Sequence, residues 1–434
     1  MSAKKMMNLL TVHLLTVHLL MVPWRRTART IFIGVCLSIS SLQAGAAVKQ
    51  ITATFSPDPS NPLRNEFRNT TRNQGFCNNY PAICETHGIF SLRMFNSSTL
   101  NGPIEPNHSD VRKGAMLKTP AAWRVLTVRE RNTGEEVALE VRIAGMGGVY
   151  DVSDDVRALT GSATVTAGHS LLWGSRWSSV SPPCRSIGRE SYYGARGFEF
   201  FWLTPEEAVC AKQARFQIPG LGYRYLDFTY ELRTPNPLQM STGIYEGTQV
   251  YSVGPGGDFD LGDIVVPSDG VLQLDFTLSV EHTLKVDIPP GGNRVELVPQ
   301  GGWQAWLNNS RQPTRLFRDQ TFNISASSRF KMKLECGQEM GDTCGLRNAD
   351  NHQVPMQISV SLPNGLTRAD GSPVNRQPLV LSGSGTELFQ PGFYVDRKPG
   401  TLHFEVGGDD TKEMLKHGGS QYSGTATVIW DSEV

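Results

Sequence analysis

The sequence predicts an all-β protein made of two tandem immunoglobulin-like β-sandwiches, on three observations. Glycine and proline number 43 and 26 in 434 residues while charged side chains make up only 19%, a composition of short strands and turns. Segments rich in Val, Ile, Thr, Phe and Tyr alternate apolar with polar residues and are bounded by Gly, Pro, Asn or Asp. No solenoid repeat or low-complexity tract interrupts them. An apolar fraction of 39% excludes a disordered polyelectrolyte. The balance of 41 basic and 41 acidic residues lacks the basic excess of a nucleic-acid binder, so no nucleic-acid partner is expected.

In chain order the alternating segments are 124–130, 137–143, 198–203, 225–232, 271–280, 284–288, 294–298, 330–334, 356–362, 401–406 and 423–431. Two short stretches read as helical. Thr204-Pro205-Glu206-Glu207 offers an N-cap, a proline at the first helical position and acidic residues in the first turn. Residues 410–416 form a brief polar turn before the last strand. A boundary near residue 282 divides an N-terminal domain, 47–281, from a C-terminal domain, 284–434. The second has the size of one immunoglobulin-like sandwich. His282-Thr283 leaves almost no linker, so the two should sit end to end and rather rigidly.

Residues 1–46 read as an export signal. Arg25, Arg26 and Arg29 precede the apolar stretch from Ile31 to Leu37, and Ala44-Gly45-Ala46 supplies the small residues of a cleavage site. The apolar stretch is too short for a membrane anchor. Translation could start at Met1 or at Met21. The signal carries five basic residues and no acid, so the remainder holds 36 basic and 41 acidic side chains and a net charge of −5. Cys36 leaves with it. Cys77, Cys84, Cys184, Cys210, Cys336 and Cys344 remain, an even count that reads as disulfides in an exported chain. Six cysteines allow fifteen connectivities, of which neighbour pairing (77 with 84, 184 with 210, 336 with 344) is the economical one. Zinc is disfavoured, because there is no CxxC and no pair of histidines at ligand spacing.

On the last strand Tyr422, Ala426, Val428 and Trp430 share one face, with Ser423, Thr425, Thr427 and Ile429 on the other. Alternation alone cannot tell a complete sandwich from one that accepts a strand from another subunit. The stretch Thr401-Leu-His-Phe-Glu-Val-Gly-Gly408, a polar insert, then Gly419-Ser-Gln-Tyr-Ser-Gly-Thr-Ala-Thr-Val-Ile-Trp430 resembles the end of class 5 (alpha-clade) fimbrial subunits. Cys184…Cys210 followed by Arg215-Phe-Gln-Ile-Pro-Gly-Leu-Gly222 and a long strand adds to the likeness. Across residues 47–434 the chain resembles the CblD-like pilus biogenesis initiators, the minor tip adhesins of cable pili and colonisation-factor fimbriae. The terminal strand and the two-domain cysteine layout carry most of that resemblance.

The resemblance implies a receptor-binding N-terminal sandwich and a C-terminal pilin domain lacking its final strand. It implies four partners: a major pilin subunit that donates the strand, a periplasmic chaperone, an outer-membrane usher, and a host glycan or glycoprotein receptor. It places the chain at the fimbrial tip, reached through the periplasm. No cofactor is expected. Residues 47–281 hold 17 Arg but only 4 Lys, and guanidinium forks suit sialylated or other anionic glycans. By resemblance Arg233 and Arg93 occupy receptor-binding positions, and Arg131 is a third candidate from its strand end. A purely structural initiator is the alternative reading, and a glycan-active enzyme a more distant one, for no GxSxG elbow occurs. A Ser-His-Asp triad could still assemble from the seven histidines beyond residue 46. Asp258, Asp260 and Asp263 in a glycine-rich loop could hold calcium, although a hairpin connection is the simpler expectation.

Overall fold

The computed structural model describes residues 47–95, 98–187, 191–192, 194–267, 269–309 and 312–432. The export signal lies outside them. None of the described helices is long and apolar enough to cross a membrane. The chain is mostly β, with its apolar residues gathered in two large cores. One ends at Val280 and the other begins at Leu284.

The first core lies on a sheet ordered Arg68–Asn69, Ala47–Phe55, Val271–Val280, Gly243–Ser252, Arg124–Glu130, Glu136–Val152, Leu221–Arg233, Phe90–Phe95. Gly197–Leu203 pairs with Glu136–Val152 off this path. Strict alternation makes Val271–Val280 a one-faced strand, with Leu272, Leu274, Phe276, Leu278 and Val280 all at most 1% exposed. Each side chain so buried contributes about 1.5–3 kcal/mol. Ala47–Phe55 pairs with it in parallel, Ala47 opposite Leu272 and Phe55 opposite Val280. The two ends of this lobe therefore run side by side. In Glu136–Val152 the alternation stops at Ile143, and the residues through Tyr150 are all buried. One face there meets the main core, and Ala144 joins a smaller cluster with Phe76, Cys77, Cys84, Ile89 and Phe201. Glycine is required at this crossing. A Cβ on Gly148 would lie 2.0 Å from Tyr225 O, and one on Gly147 would lie 2.3 Å from Phe200 O.

The second core is closed between two sheets. One runs Leu284–Asp287, Leu316–Ala326, Val395–Val406, Gln353–Ser361, Thr343–Arg347, Glu339–Met340; the other runs Leu366–Arg368, Phe389–Pro391, Phe330–Cys336, Ala426–Ser432. Between the cores, Glu281 N donates to Phe55 O at 2.9 Å and Thr283 N donates to Ser327 Oγ at 2.9 Å. His282 lies 2.9 Å from Met240 O through Nε2 and 3.2 Å from Ser327 Oγ through Nδ1. Tyr394 N donates to Asn65 Oδ1 at 3.2 Å.

Three disulfides close, Cys77–Cys84, Cys184–Cys210 and Cys336–Cys344, with Cα separations of 5.6, 5.9 and 5.1 Å. Several local expectations are corrected. Thr204–Glu207 is not a helix: Thr204 N donates to Ala144 O, and its hydroxyl meets Thr119 Oγ1 at 2.7 Å inside the core instead of capping. The strand expected at 294–298 shrinks to Val298–Pro299, followed by the helix Gly302–Asn309. The last strand is Ala426–Ser432. Phe76–Asn79, Pro81–His87, Val156–Thr160 and Val165–Leu172 are helices too short for a periodic apolar stripe to announce them. Asp155 and Thr164 do cap the latter two, accepting from Arg157 N and Ala167 N.

Candidate functional site

Arg93 lies on Phe90–Phe95, opposite Asp227. Its Nε donates to Asp227 Oδ1 at 2.7 Å and its guanidinium stands 3.9 Å over the Tyr225 ring. Phe76 N also donates to Asp227, at 3.1 Å. Burial pushes the Asp227 carboxyl above its ordinary range, against the pull of Arg93 and the Phe76 N–H. Gly75 makes the approach possible. Its φ is +64°, and a Cβ there would lie 2.0 Å from Asp227 Oδ2. The Cys77–Cys84 bridge pins the two short helices that follow, and Phe76 stacks on Phe201 at 4.1 Å.

This packing frames an open groove of about 400 Å³ lined by Lys49, Gln74, Gly75, Asn78, Asn79 and Arg93. Two cations and three amide side chains line it, and no apolar side chain does. Lys49 is half-buried. Burial lowers its pKa, Asp269 raises it and Arg93 lowers it further. Such a wall can hold an anionic or polyhydroxylated ligand through charge-assisted hydrogen bonds. Arg93 belonged to the sequence expectation; Lys49, Gln74, Asn78 and Asn79 did not. They stand on other segments, and no motif links them.

Arg233 and Arg131 lie elsewhere. Arg233 is six residues beyond Asp227 on the same strand, about 20 Å along it. Its guanidinium sits 4.0 Å over Trp123, and Nη1 reaches Glu140 Oε2 at 3.4 Å. Arg142 approaches the same indole at 5.2 Å and is paired with Glu231 at 2.7 Å. Arg131 bonds through its backbone N to Ile244 O and through Nη2 to Glu246 Oε1 at 2.5 Å. Gly243 faces Val280, so Arg131 sits at the end of the first lobe where the chain passes to the second. The three arginines do not converge, and each already faces a carboxylate.

The aspartate loop is likewise occupied. Asp260 takes Arg112 at 2.7 Å and the Gly256 and Gly262 N–H groups at 2.8 and 2.9 Å; Asp263 takes Arg112 at 2.8 Å. Asp258 pairs with Arg124 and accepts from Ser252 N. Burial would raise Asp258 and Asp260, but these hydrogen bonds outweigh it and hold both below the usual carboxylate range. Two arginines close this loop where calcium was considered, and among the described residues no group of three or more potential ligands is placed for a metal.

In the second lobe, Tyr422, Ala426, Val428 and Trp430 all pack on the core yet stay only partly buried. The paired strand differs: Phe330, Met332 and Leu334 are 0, 1 and 4% exposed. Val428 faces Leu334 and Trp430 faces Met332, while the other edge of the terminal strand carries no partner strand among the described residues. Trp430 meets Phe322 edge-on at 5.5 Å. The strand of Phe322 pairs with Leu284–Asp287, the edge strand of the facing sheet, where Leu284 and Val286 are also half-covered and Ile288 is 46% exposed. Both sheets thus end in incompletely covered apolar side chains.

A Ser-His-Asp row also exists. His403 stands 2.7 Å from Asp319 Oδ1 through Nδ1 and 2.9 Å from Ser361 Oγ through Nε2. Ser361 Oγ also accepts from Arg376 N at 2.9 Å. The row spans three neighbouring strands, and that N–H acts as a cross-strand clamp on the serine.

No family model and no curated protein matches the chain. Among solved structures, CfaE, the adhesive subunit of CFA/I fimbria of enterotoxigenic Escherichia coli, aligns over 90% of this chain and 95% of its own, at 11% identity and a TM-score of 0.23. A chaperone–tip adhesin complex of CFA/I fimbriae aligns over 90% and 97%, at 12% identity and a TM-score of 0.22. The CsuC–CsuE chaperone–tip subunit complex from archaic chaperone–usher Csu pili of Acinetobacter baumannii aligns over 89% and 98%, at 10% and 0.21. These neighbours are tip adhesins. At such TM-scores the likeness carries no argument for individual residues, which rest on the geometry above.

Proposed function

We propose that the chain is a minor fimbrial tip subunit. It is exported through the periplasm to the cell surface, binds a host-surface glycan or glycoprotein, and initiates pilus assembly by accepting a strand from the major pilin. Residues 47–281 form the receptor-binding domain and 284–434 the pilin domain. The observation that carries this reading is the unpaired edge of Ala426–Ser432, with Tyr422, Ala426, Val428 and Trp430 half-covered beside it. An open edge of this kind is an aggregation hazard unless something covers it. A periplasmic chaperone covers it first, and a pilin strand replaces the chaperone at the outer-membrane usher. Main-chain hydrogen bonds supply affinity and alternate side chains supply specificity.

The Arg93 groove is the receptor site we favour, with Arg233 beside Trp123 as a second polar surface and Arg131 as the weakest of the three. The protein acts by binding and not by turnover. The carboxylate partner on each arginine favours one other reading, a structural initiator with no receptor of its own. Binding of the donor-strand-complemented protein to a glycan array separates the two. Glycan binding that Arg93→Ala abolishes and Arg233→Ala weakens supports the adhesin. An array with no binding supports the scaffold.

A further inference from the structure

Trp430 carries a polar atom that the fold leaves unused. Its indole Nε1 is buried and has no hydrogen-bond partner. The strand partner Met332 and the facing Phe322 offer it no oxygen or nitrogen acceptor. Elsewhere an interior indole is served: Trp202 Nε1 donates to Trp177 O at 2.6 Å. A buried N–H without an acceptor forfeits the full cost of its desolvation. Trp430 stands on the edge strand of the second lobe, where an incoming strand would complete the core.

We propose that the occupant of this edge is an extended segment of another subunit, bearing a side-chain hydrogen-bond acceptor (Ser, Thr, Asn or Gln) at the inward position that meets Trp430 Nε1, with apolar residues at its other inward positions. The inference rests on the strand-accepting role proposed above and names what that strand must carry. A main-chain carbonyl of the incoming strand does not serve, because strand carbonyls lie in the plane of the sheet while Trp430 projects from its face into the core. The acceptor has to come from an inward side chain. Such a contact would set the register. A slip of one residue turns every apolar side chain outward, and a slip of two puts an apolar side chain on the indole and leaves the N–H unpaired. A single buried polar position is a known means of specifying register at some cost in stability.

The test uses the full exported chain and synthetic eleven-residue peptides of alternating sequence, all with Val at the inward positions or with one Val replaced by isosteric Thr at each inward position in turn. Affinity is read by fluorescence anisotropy of labelled peptide. Replacing Val by Thr should weaken binding at every inward position except one. There Thr should bind about five- to tenfold more tightly than Val, the effect of one satisfied buried donor. In Trp430→Phe the exception should disappear. If every Thr peptide binds more weakly than the all-Val peptide to the unmodified chain, the inference is overturned while strand acceptance stands. If the all-Val and Thr peptides all fail to bind, strand acceptance falls as well. The scan on the unmodified chain decides the matter even where Trp430→Phe folds poorly.

Discussion

Removing Arg93 should cost stability as well as binding, and the size of the loss follows from Asp227. That carboxylate is 3% exposed in its side chain and faces Arg93 at 2.7 Å. Deleting one partner of a buried pair costs about 3–5 kcal/mol. The Arg93 side chain is 29% exposed, so water softens the penalty, and Phe76 N still donates to the carboxylate. For Arg93→Ala we expect a loss of about 2–3 kcal/mol at pH 7. Asp227→Asn should lose about 1–2 kcal/mol, and the double variant less than the sum by about 1 kcal/mol. The loss should depend on pH with a definite sign. The folded carboxyl already titrates above 3.8, and without Arg93 it moves higher. A raised acid favours folding below its unfolded value and loses that contribution as pH rises through the folded one. The deficit of Arg93→Ala should therefore be small below pH 3.8 and grow toward neutrality. Urea denaturation followed by tryptophan fluorescence reports this lobe through Trp173, Trp177 and Trp202, all buried in its core. A loss under about 0.5 kcal/mol, or one equal at acid and neutral pH, would refute the reasoning. Adhesion assays on Arg93→Ala are best read beside Asp227→Asn, which disturbs the same pair without removing the cation.

Replacing Cys184 and Cys210 by Ser opens a 26-residue loop and should lower stability by about 3 kcal/mol, measured by chemical denaturation. Asp260→Asn weakens the Arg112 anchor of the aspartate loop and should lower the melting temperature by several degrees, whereas millimolar calcium should leave the wild-type melting temperature unchanged. A rise with calcium would reassign the loop. Lys212 is 6% exposed, with Nζ on Ser175 Oγ at 2.7 Å and Arg176 O at 2.8 Å, and burial lowers its pKa to about 8. Because the folded value lies below the unfolded 10.5, the unfolded chain holds the extra proton between about pH 8 and 10.5. Stability relative to Lys212→Met should rise across that window by about 1–2 kcal/mol, allowing for solvent screening; a flat difference would show that Lys212 titrates normally.

Much of the fold was legible wherever a strand has one buried face. Residues 124–130 and 271–280 were bounded to the residue, because their side chains alternate between core and solvent. The long strand Glu136–Val152 was read only as far as Ile143, since beyond it both faces are covered and the alternation vanishes. The site was less legible. Arg93 was named, but Lys49 on the first strand and Gln74, Asn78 and Asn79 around the disulfide-pinned helices share no spacing with it. Arg233 and Arg131 looked equivalent to Arg93 in sequence, and strand register separates them.

The sequence by itself determined the all-β class, the placement of the last strand and the even cysteine count, because alternation, turn residues and cysteine spacing are local properties of the chain. Tertiary structure alone decided which carboxylate each arginine meets, which residues join Arg93 in its groove, and which strand edge stays open beside Trp430. Those outcomes depend on pairings such as Arg93 with Asp227, 134 residues apart, and Phe322 with Trp430. The physical reason is that charge pairing and edge exposure belong to the assembled sheet order, to which no single segment holds the key.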